Sequence, residues 1–598
     1  MPREPMGKGA NPTDKAKDFK GAMKRLFSEL KIFKVLISIS FILAILGAGI
    51  SIVSPNILSK LTDEINKGLY GVMDMEAIKK IAIILSIMYL LSTIFEYIQS
   101  FAMTDVSNKF AKNLRSRISL KINNLPLRYF DLHTKGDILS RVTNDVDLIA
   151  QSMNQSLASL VISITLFLGS AAMMFYTNWI MAITGIVSSL IGFAFMGLIL
   201  SKSQKYFIAR QTELGKLNGH IEEVFSGLNV VKAYNAETIV NKKFDELNKS
   251  VYEANRKSQF LSGLMQPFMS FIGNFGYVAI CIVGALLTMN NIISFGVIVA
   301  FMIYVRLFTQ PLSQIAQSMT SLQSTAAASE RVFEFLDEKE MPDESNFTKK
   351  LKKEVVTGKI EFENVVFQYD NNPNPTINNF SAIANSGQKV AIVGSTGAGK
   401  TTLVNLLMKF YDLSSGDIKI DGISIKELTR DNIHRLFTMV LQDTWTFEGT
   451  IKENIAYNNE NATDEEIEEV CKKVGLHHFI KTLPHGYESE LQDNDTISSG
   501  QKQLLTIARG MLQNAPFLIL DEATSNVDTR TEEIVQKAMD NLTEGKTSFI
   551  IAHRLSTIKN ADLILVVKDG NIVEQGNHEE LIKKQGVYAE LYNSQFEL

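Results

Sequence analysis

Eight residues, Gly394-Ser395-Thr396-Gly397-Ala398-Gly399-Lys400-Thr401, place three glycines, a lysine and a hydroxyl at the spacing G-x-x-x-x-G-K-[ST]. Glycines at this spacing let backbone N–H groups close around phosphate oxygens, and a lysine at the end of the loop reaches the outer phosphates. Thr401 would give its hydroxyl to Mg²⁺. Further along, Phe517-Leu518-Ile519-Leu520 runs into Asp521 and Glu522. An apolar run that ends in acids fits a buried parallel strand delivering them to a site. Asp521 suits a Mg²⁺-binding carboxylate, and Glu522 is placed to polarise a water against a terminal phosphate. The chemistry implied is hydrolysis of a nucleoside triphosphate.

The elements needed to hold these residues are legible around them. Val390-Ala391-Ile392-Val393 is a β-type run before the loop, and Thr402 to Phe410 is a helical run after it. The context is therefore strand, loop, helix. From about residue 358 the composition is that of a soluble α/β domain, preceded by a charged stretch, Asp337 to Thr348, that contains Pro342.

The first half is different. Long apolar runs occupy Val35–Leu58, Ile81–Met103, Ser159–Tyr176, Trp179–Leu200, Pro267–Leu287 and Ile292 to about Phe308. Each is long enough to cross a hydrocarbon core of ~30 Å as a helix. The first is too long for a cleavable signal peptide and lacks its small-residue cleavage site. Lys and Arg crowd residues 1–34, 104–157 and 201–265 but are absent from 177–178 and 288–291. The positive-inside rule then puts the N-terminus and both long connections in the cytoplasm. These connections have apolar positions at helical spacing and read as helices continuing beyond the membrane, with elbows expected at Asp131–Asp137 and Asn235–Thr238. The expected division is an N-terminal cytoplasmic segment 1–34, a six-span helical domain 35–335, a linker 336–357 and a nucleotide-binding domain 358–598.

The whole chain has 598 residues, 45% of them hydrophobic and 21% charged, with net charge −4. At ~150 residues per domain this allows about four domain-sized units. The acidic balance argues against broad nucleic-acid binding, which needs a basic face. Cys281 and Cys471 are the only cysteines, too few and too far apart for a disulfide framework or a zinc site.

Beside the two phosphate motifs stand Tyr369 in Phe367-Gln368-Tyr369, Gln442 in Leu441-Gln442-Asp443-Thr444, Ser498-Ser499-Gly500-Gln501, Ser525-Asn526-Val527-Asp528, and His553 in Ile551-Ala552-His553-Arg554. In this order they resemble the ATP-binding domain of an ABC transporter. The six preceding runs resemble the exporter type, in which membrane and nucleotide domains are fused. The resemblance runs from about residue 20 to the end. It implies an α-helical six-span domain followed by an α/β P-loop domain in the cytoplasm, in a multi-pass protein of the cytoplasmic (inner) membrane. ATP and Mg²⁺ would be its cofactors and ATP hydrolysis coupled to transport its activity. On this reading Glu522, His553 and Gln442 are catalytic. ATP contacts come from Tyr369 (stacking on adenine), residues 394–401 with Thr402, Ser498, Gly500 and Gln501 of the signature, and Asp528, which links the two sites. Mg²⁺ would be held by Thr401, Gln442 and Asp521. The two elbows would be coupling helices.

The sequence departs from the family pattern at the signature, where Ile497-Ser498-Ser499-Gly500-Gln501 stands in place of Leu-Ser-Gly-Gly-Gln. The preceding Glu490–Asp495 lacks the usual Gly-Glu-x-Gly, and Asn526 replaces a small residue. Glu522 and His553 remain. This mixture resembles the catalytically intact subunit of heterodimeric bacterial multidrug exporters, with a homodimer as the alternative. The expected partners are a second half-transporter, membrane lipids and a drug-like, lipid or other amphiphilic cargo. A homodimeric lipid flippase or peptide exporter, and an ATP-gated channel, are the other readings. Glu96 and Arg306 are charged residues inside spans, where charge is costly and therefore informative.

Overall fold

The computed structural model describes residues 16–370, 372–441, 444–457, 459, 461–491, 497–521, 529–551 and 558–596. The chain forms two compact units: residues 1–123 with 133–338, and residues 124–132 with 339–598.

The first unit is helical. Its long helices are α2 (Lys34–Tyr70), α3 (Met75–Asn124), α7 (Ala158–Thr177), α8 (Trp179–Ser226), α10 (Glu237–Met289) and α11 (Phe295–Asp337). Short helices join or precede them: α1 (Phe19–Glu29), α5 (Lys135–Ser140), α6 (Val146–Ser152) and α9 (Leu228–Ala233). Among the described residues four helical stretches are long and apolar enough to cross a membrane: 19–69, 75–124, 135–177 and 295–337. The fourth and fifth expected spans lie on helices of 48 and 53 residues, whose apolar stretches among the described residues include Trp179–Ala194 and Gly273–Met289. At 1.5 Å per residue the longest of these helices run ~70–80 Å, well beyond a hydrocarbon core.

Local chemistry sets the helix ends. α3 stops just before Leu125-Pro126, because the residue before proline disfavours the helical region. The Asn178 side chain accepts from the N–H groups of Ile180 and Met181, which starts α8 one residue after α7 ends. The first elbow is two short helices, Leu127–Leu132 and Lys135–Ser140, and not a single turn at 131–137. The second begins at Gly227, earlier than expected, because α9 lies between α8 and the turn at 234–236. α11 is pinned at both ends. Asp63 of α2 accepts from Ser294 Oγ (2.6 Å) and Gly296 N–H (2.7 Å). Toward the other end, Arg331 forks onto Asp145 (2.9 and 2.5 Å), whose carboxylate is buried. Between these, Phe301, Tyr304, Val305 and Phe308 of α11 pack with Met174, Met181 and Ile280.

The second unit is α/β. Its main sheet has the order β12-β11-β3-β10-β9-β6, where β3 is Lys389–Val393, β6 Phe437–Val440, β9 Phe517–Asp521, β10 Thr547–Ile551, β11 Leu563–Lys568 and β12 Asn571–Gly576. All neighbours are parallel except β11–β12. The inner strands are apolar on both faces, as a sheet covered by helices requires. A smaller antiparallel sheet includes β1 (Ile360–Phe367), β2 (Ile377–Ala384) and β4 (Ser415–Ile420). The connecting stretch is anchored to this unit. Glu344 meets Arg430 (2.5 Å) and Lys409 (2.9 Å), all largely buried.

His434, in the helix α13 (Arg430–Leu436), reaches the Met408 carbonyl through Nε2 (2.9 Å) and lies against Phe410. Burial holds its pKa below the ordinary 6.5, against the opposing pull of that carbonyl. A base with a depressed folded pKa binds fewer protons folded than unfolded. Its contribution is therefore full above 6.5 and is lost as pH falls through 6.5 toward the folded value. Thermal melts of the full-length protein at pH 7.5 and 5.5 should show a smaller acid-induced fall in His434→Gln than in wild type. An unchanged difference would mean His434 is not the titrating group.

Candidate functional site

The phosphate loop lies where the sequence places it. β3 ends at Val393, and α12 (Lys400–Leu407) begins after six intervening residues. Gly399 caps α12 at φ 101°, a conformation that L side chains rarely adopt, and no side chain caps the first turn. The leading N–H groups of α12 are thus left for an anion, with the helix dipole behind them. Lys400 is buried, and its Nζ donates to the carbonyls of Gly394 (2.7 Å) and Ser395 (3.0 Å), so the ammonium sits over the loop. Gly394 is required by close approach: a Cβ there would lie 2.2 Å from the Val567 carbonyl oxygen in β11. Gly394→Ala should therefore destabilise the nucleotide-binding unit by ~1–3 kcal/mol and distort the loop. Thermal melting with and without ATP is the measurement, and an unchanged ATP-induced shift would show that the loop tolerates the methyl group.

Asp521 ends β9 opposite Ile551 of β10, and Ile551 in turn pairs with Ile392 of β3. Two strand spacings of ~4.8 Å put Asp521 ~10 Å across the sheet from the base of the phosphate loop. Both stand at the carboxyl edge of a parallel sheet, where α/β folds bind ligands. A threonine hydroxyl and a carboxylate are hard oxygen donors of the kind Mg²⁺ takes, so Thr401 and Asp521 fit that ion. Gln442, Glu522, Asp528 and His553 lie outside the described residues. The strands that precede Gln442, Glu522 and His553 in the chain, β6, β9 and β10, end side by side at this same edge.

Tyr369 follows β1. Its hydroxyl donates to Thr402 Oγ1 in the first turn of α12 (3.3 Å), and its ring meets Phe367 and Tyr411 edge-on at 4.8 and 5.4 Å between centroids. The aromatic candidate is thus beside the phosphate loop.

The signature segment begins its own helix, α17 (Ser499–Gln513). Ser498 and Gln501 form a reciprocal capping box: Ser498 Oγ accepts from Gln501 N–H (3.3 Å), and Gln501 Oε1 accepts from Ser498 N–H (2.9 Å). Ile497 and Gly500 are buried, while Ser498 and Ser499 face outward. Ser499 therefore fits without strain within the unit.

Two sets of side-chain contacts had no residue-level signal in the sequence, although the family resemblance made the first elbow a coupling helix. The short helix α4 (Leu127–Leu132), from the tip of the first long connection, belongs to the second unit. Its Asp131 accepts from the Tyr411 hydroxyl (2.6 Å), and its Arg128 pairs with Asp370. Tyr411 also meets the Tyr369 ring, and Asp370 is the next residue in the chain. Separately, Arg509 of α17 lies over the Tyr457 ring (4.9 Å) and donates Nε–H to the Asn454 carbonyl (2.9 Å). Both residues line a cavity of about 870 Å³ that also meets Lys353, Arg435 and Asn432. Neither feature has a local signal, because each joins residues far apart in the chain.

Two family matches cover most of the chain: residues 37–312 match the ABC transporter transmembrane region and residues 377–525 match ABC transporter. The "Fatty acid ABC transporter ATP-binding/permease protein" of Mycobacterium tuberculosis is 40% identical over 619 residues, 97% of each chain. An uncharacterized ABC transporter ATP-binding protein of Bacillus subtilis is 38% identical over 602 residues, 100% of this chain and 98% of the other. The "ATP-dependent lipid A-core flippase" of Syntrophus aciditrophicus is 33% identical over 522 residues, 87% of this chain and 86% of the other. A helical membrane unit and a P-loop unit on one chain, matched over their length by proteins of this kind, make it an ABC transporter: an exporter-type half-transporter of the membrane that binds ATP and couples its hydrolysis to transport.

Proposed function

We propose that this chain exports a lipid or other amphiphile by alternating access, working with a second half-transporter. The observation that carries the cargo class is the match along 97% of both chains to a relative named for fatty acids, joined by others named as lipid A-core flippases. Drug-like amphiphiles remain in the same class. In this reading residues 394–402 grip the phosphates of ATP and Tyr369 supports the adenine. Glu522 takes a proton from the attacking water, while His553 and Gln442 hold the terminal phosphate and the water in place. Mg²⁺, held by Thr401, Asp521 and Gln442, would neutralise charge on the phosphates. Ser498, Gly500, Gln501 and Asp528 serve the site shared with the partner. ATP shifts the transporter between states only by binding one of them more tightly.

The altered signature supports a heterodimer. Ser499 would face the partner's site, while this chain's acids complete the competent one. Native mass spectrometry of the complex, isolated through a tag on this chain, tests the pairing: two copies of 66.7 kDa would replace it with a homodimer. Transport of labelled fatty acid and phospholipid in proteoliposomes tests the cargo. ATPase without movement of any amphiphile would overturn the reading.

A further inference from the structure

Outside the nucleotide site the sharpest irregularity lies in the helical stretch that leads from the first elbow into the third span. Two π-helical turns interrupt it, Arg141–Asp145 and Met153–Leu157, one on each side of α6. A π turn holds one residue more than an α turn, is rare, and recurs at functional positions. Both turns grip α11. At the first, Asp145 takes the Arg331 fork. At the second, Ser156 Oγ donates to Ser321 Oγ (2.7 Å), and Ser152 Oγ lies 3.1 Å from the same hydroxyl. The stretch therefore runs antiparallel to α11, with Asp145 and Ser156 set against Arg331 and Ser321.

This contact is incompletely satisfied at both ends. Ser152 and Ser156 share one hydroxyl, while Ser318, one turn nearer the start of α11, is 2% exposed and its Oγ has no hydrogen-bond partner among the described residues. In the first π turn, Arg141 Nη2 donates to Asp137 (2.9 Å), but its buried Nε has no partner among the described residues. Buried polar groups are costly to leave unpaired, so each one needs a reason. Between the two grips α11 is built of small buried residues, Thr325 to Ser329, whose shallow ridges offer little resistance to sliding. An interface with one set of stations occupied and a neighbouring one vacant is the kind that shifts between two discrete positions.

We propose that the π turn at Arg141–Asp145 is a joint that closes to an α turn during the transport cycle, so that α6 advances along α11. Releasing the extra residue lengthens the helix by ~1.5 Å toward the third span. Ser156 then exchanges Ser321 for Ser318 and Ser152 keeps Ser321, so each serine has its own partner. The flexible Arg331 side chain follows Asp145. Because α6 joins α5 at the elbow to α7, the step carries displacement from one to the other. The test uses cysteine pairs in the complex as purified from its host, in nanodiscs, with Cys281 and Cys471 replaced by alanine. Ser156→Cys with Ser321→Cys reports the present position, and Ser156→Cys with Ser318→Cys reports the advanced one. Disulfide formation with copper phenanthroline is timed without nucleotide and with Mg²⁺ and ATPγS. Nucleotide should change the two rates in opposite directions, each by about fivefold or more, an ordinary size for coupling between sites. Closing the first disulfide should lower steady-state ATP turnover ~10-fold, with recovery in dithiothreitol, which misfolding would not allow. Rates that ignore nucleotide or change together overturn the inference, and so does full ATP turnover with the first disulfide closed. Neither readout depends on which amphiphile is carried.

Discussion

Glu522→Gln is expected to lower steady-state ATP turnover at least ~10²-fold while leaving ATP affinity within a few-fold of wild type. The substitution keeps the size of the side chain and removes the property the proposed base needs, a carboxylate that can accept a proton. Glu522 directly follows Asp521, whose strand is two places from the phosphate-loop strand in a parallel sheet. In the proposed reading Glu522 serves the outer phosphate, while Lys400 and the N–H groups of α12 bind the nucleotide. Binding and turnover should therefore separate. Lys400→Ala makes the contrast, since it removes a cation from the phosphate cradle and should weaken ATP binding itself. Turnover in proteoliposomes and equilibrium binding of a fluorescent ATP analogue measure the two quantities. Near-normal ATPase in Glu522→Gln would remove it as the base, and a parallel collapse of binding would make its role structural.

The phosphate loop was legible in the sequence because its demands are local. A strand, a run with glycines at set positions and a helix are all adjacent in the chain, and Gly399 at φ 101° and the uncapped first turn of α12 follow from them. Asp521 was legible because a both-faces-buried strand reads as a continuous apolar run. The membrane helices announced themselves by length and apolar content, and their polar extensions by helical spacing. The elbows were less legible, because α4, α5 and α9 are single short helices and a polar break shows only that the chain turns. What the sequence could not show was contact between distant residues. Asp131 and Tyr411 are 280 positions apart. No periodicity joins them; only the family resemblance, which made the elbow at Asp131–Asp137 a coupling helix, pointed toward the nucleotide-binding unit.

That contact sets the second large effect. α4 continues directly from α3 and leads into α5, so it is the point where a helix of the first unit enters the second by covalent connection. Asp131 accepts from Tyr411, Tyr411 touches the Tyr369 ring, and the Tyr369 hydroxyl reaches Thr402 beside the phosphate loop. Burial and the Asp131 charge push the Tyr411 hydroxyl far above its ordinary pKa, so it remains a donor at any working pH. Arg128 and Asp370 are partly exposed, and their pair is worth little alone, ~0–1 kcal/mol. The Tyr411–Asp131 bond, short (2.6 Å) and charge-assisted, is the stronger link. We expect Tyr411→Phe combined with Arg128→Gln to lower substrate moved per ATP by ~10-fold, within the usual range of coupling energies, while ATP turnover changes by less than ~3-fold. Transport and ATPase are to be measured in the same proteoliposomes, and a double-mutant cycle apportions the two contacts. If α4 only rests on the surface, the ratio of transport to ATP will not move. If it supports Tyr369 instead of transmitting motion, ATP affinity will fall and the ratio will hold. A fall in the ratio at constant affinity is the result that only transmission through α4 produces.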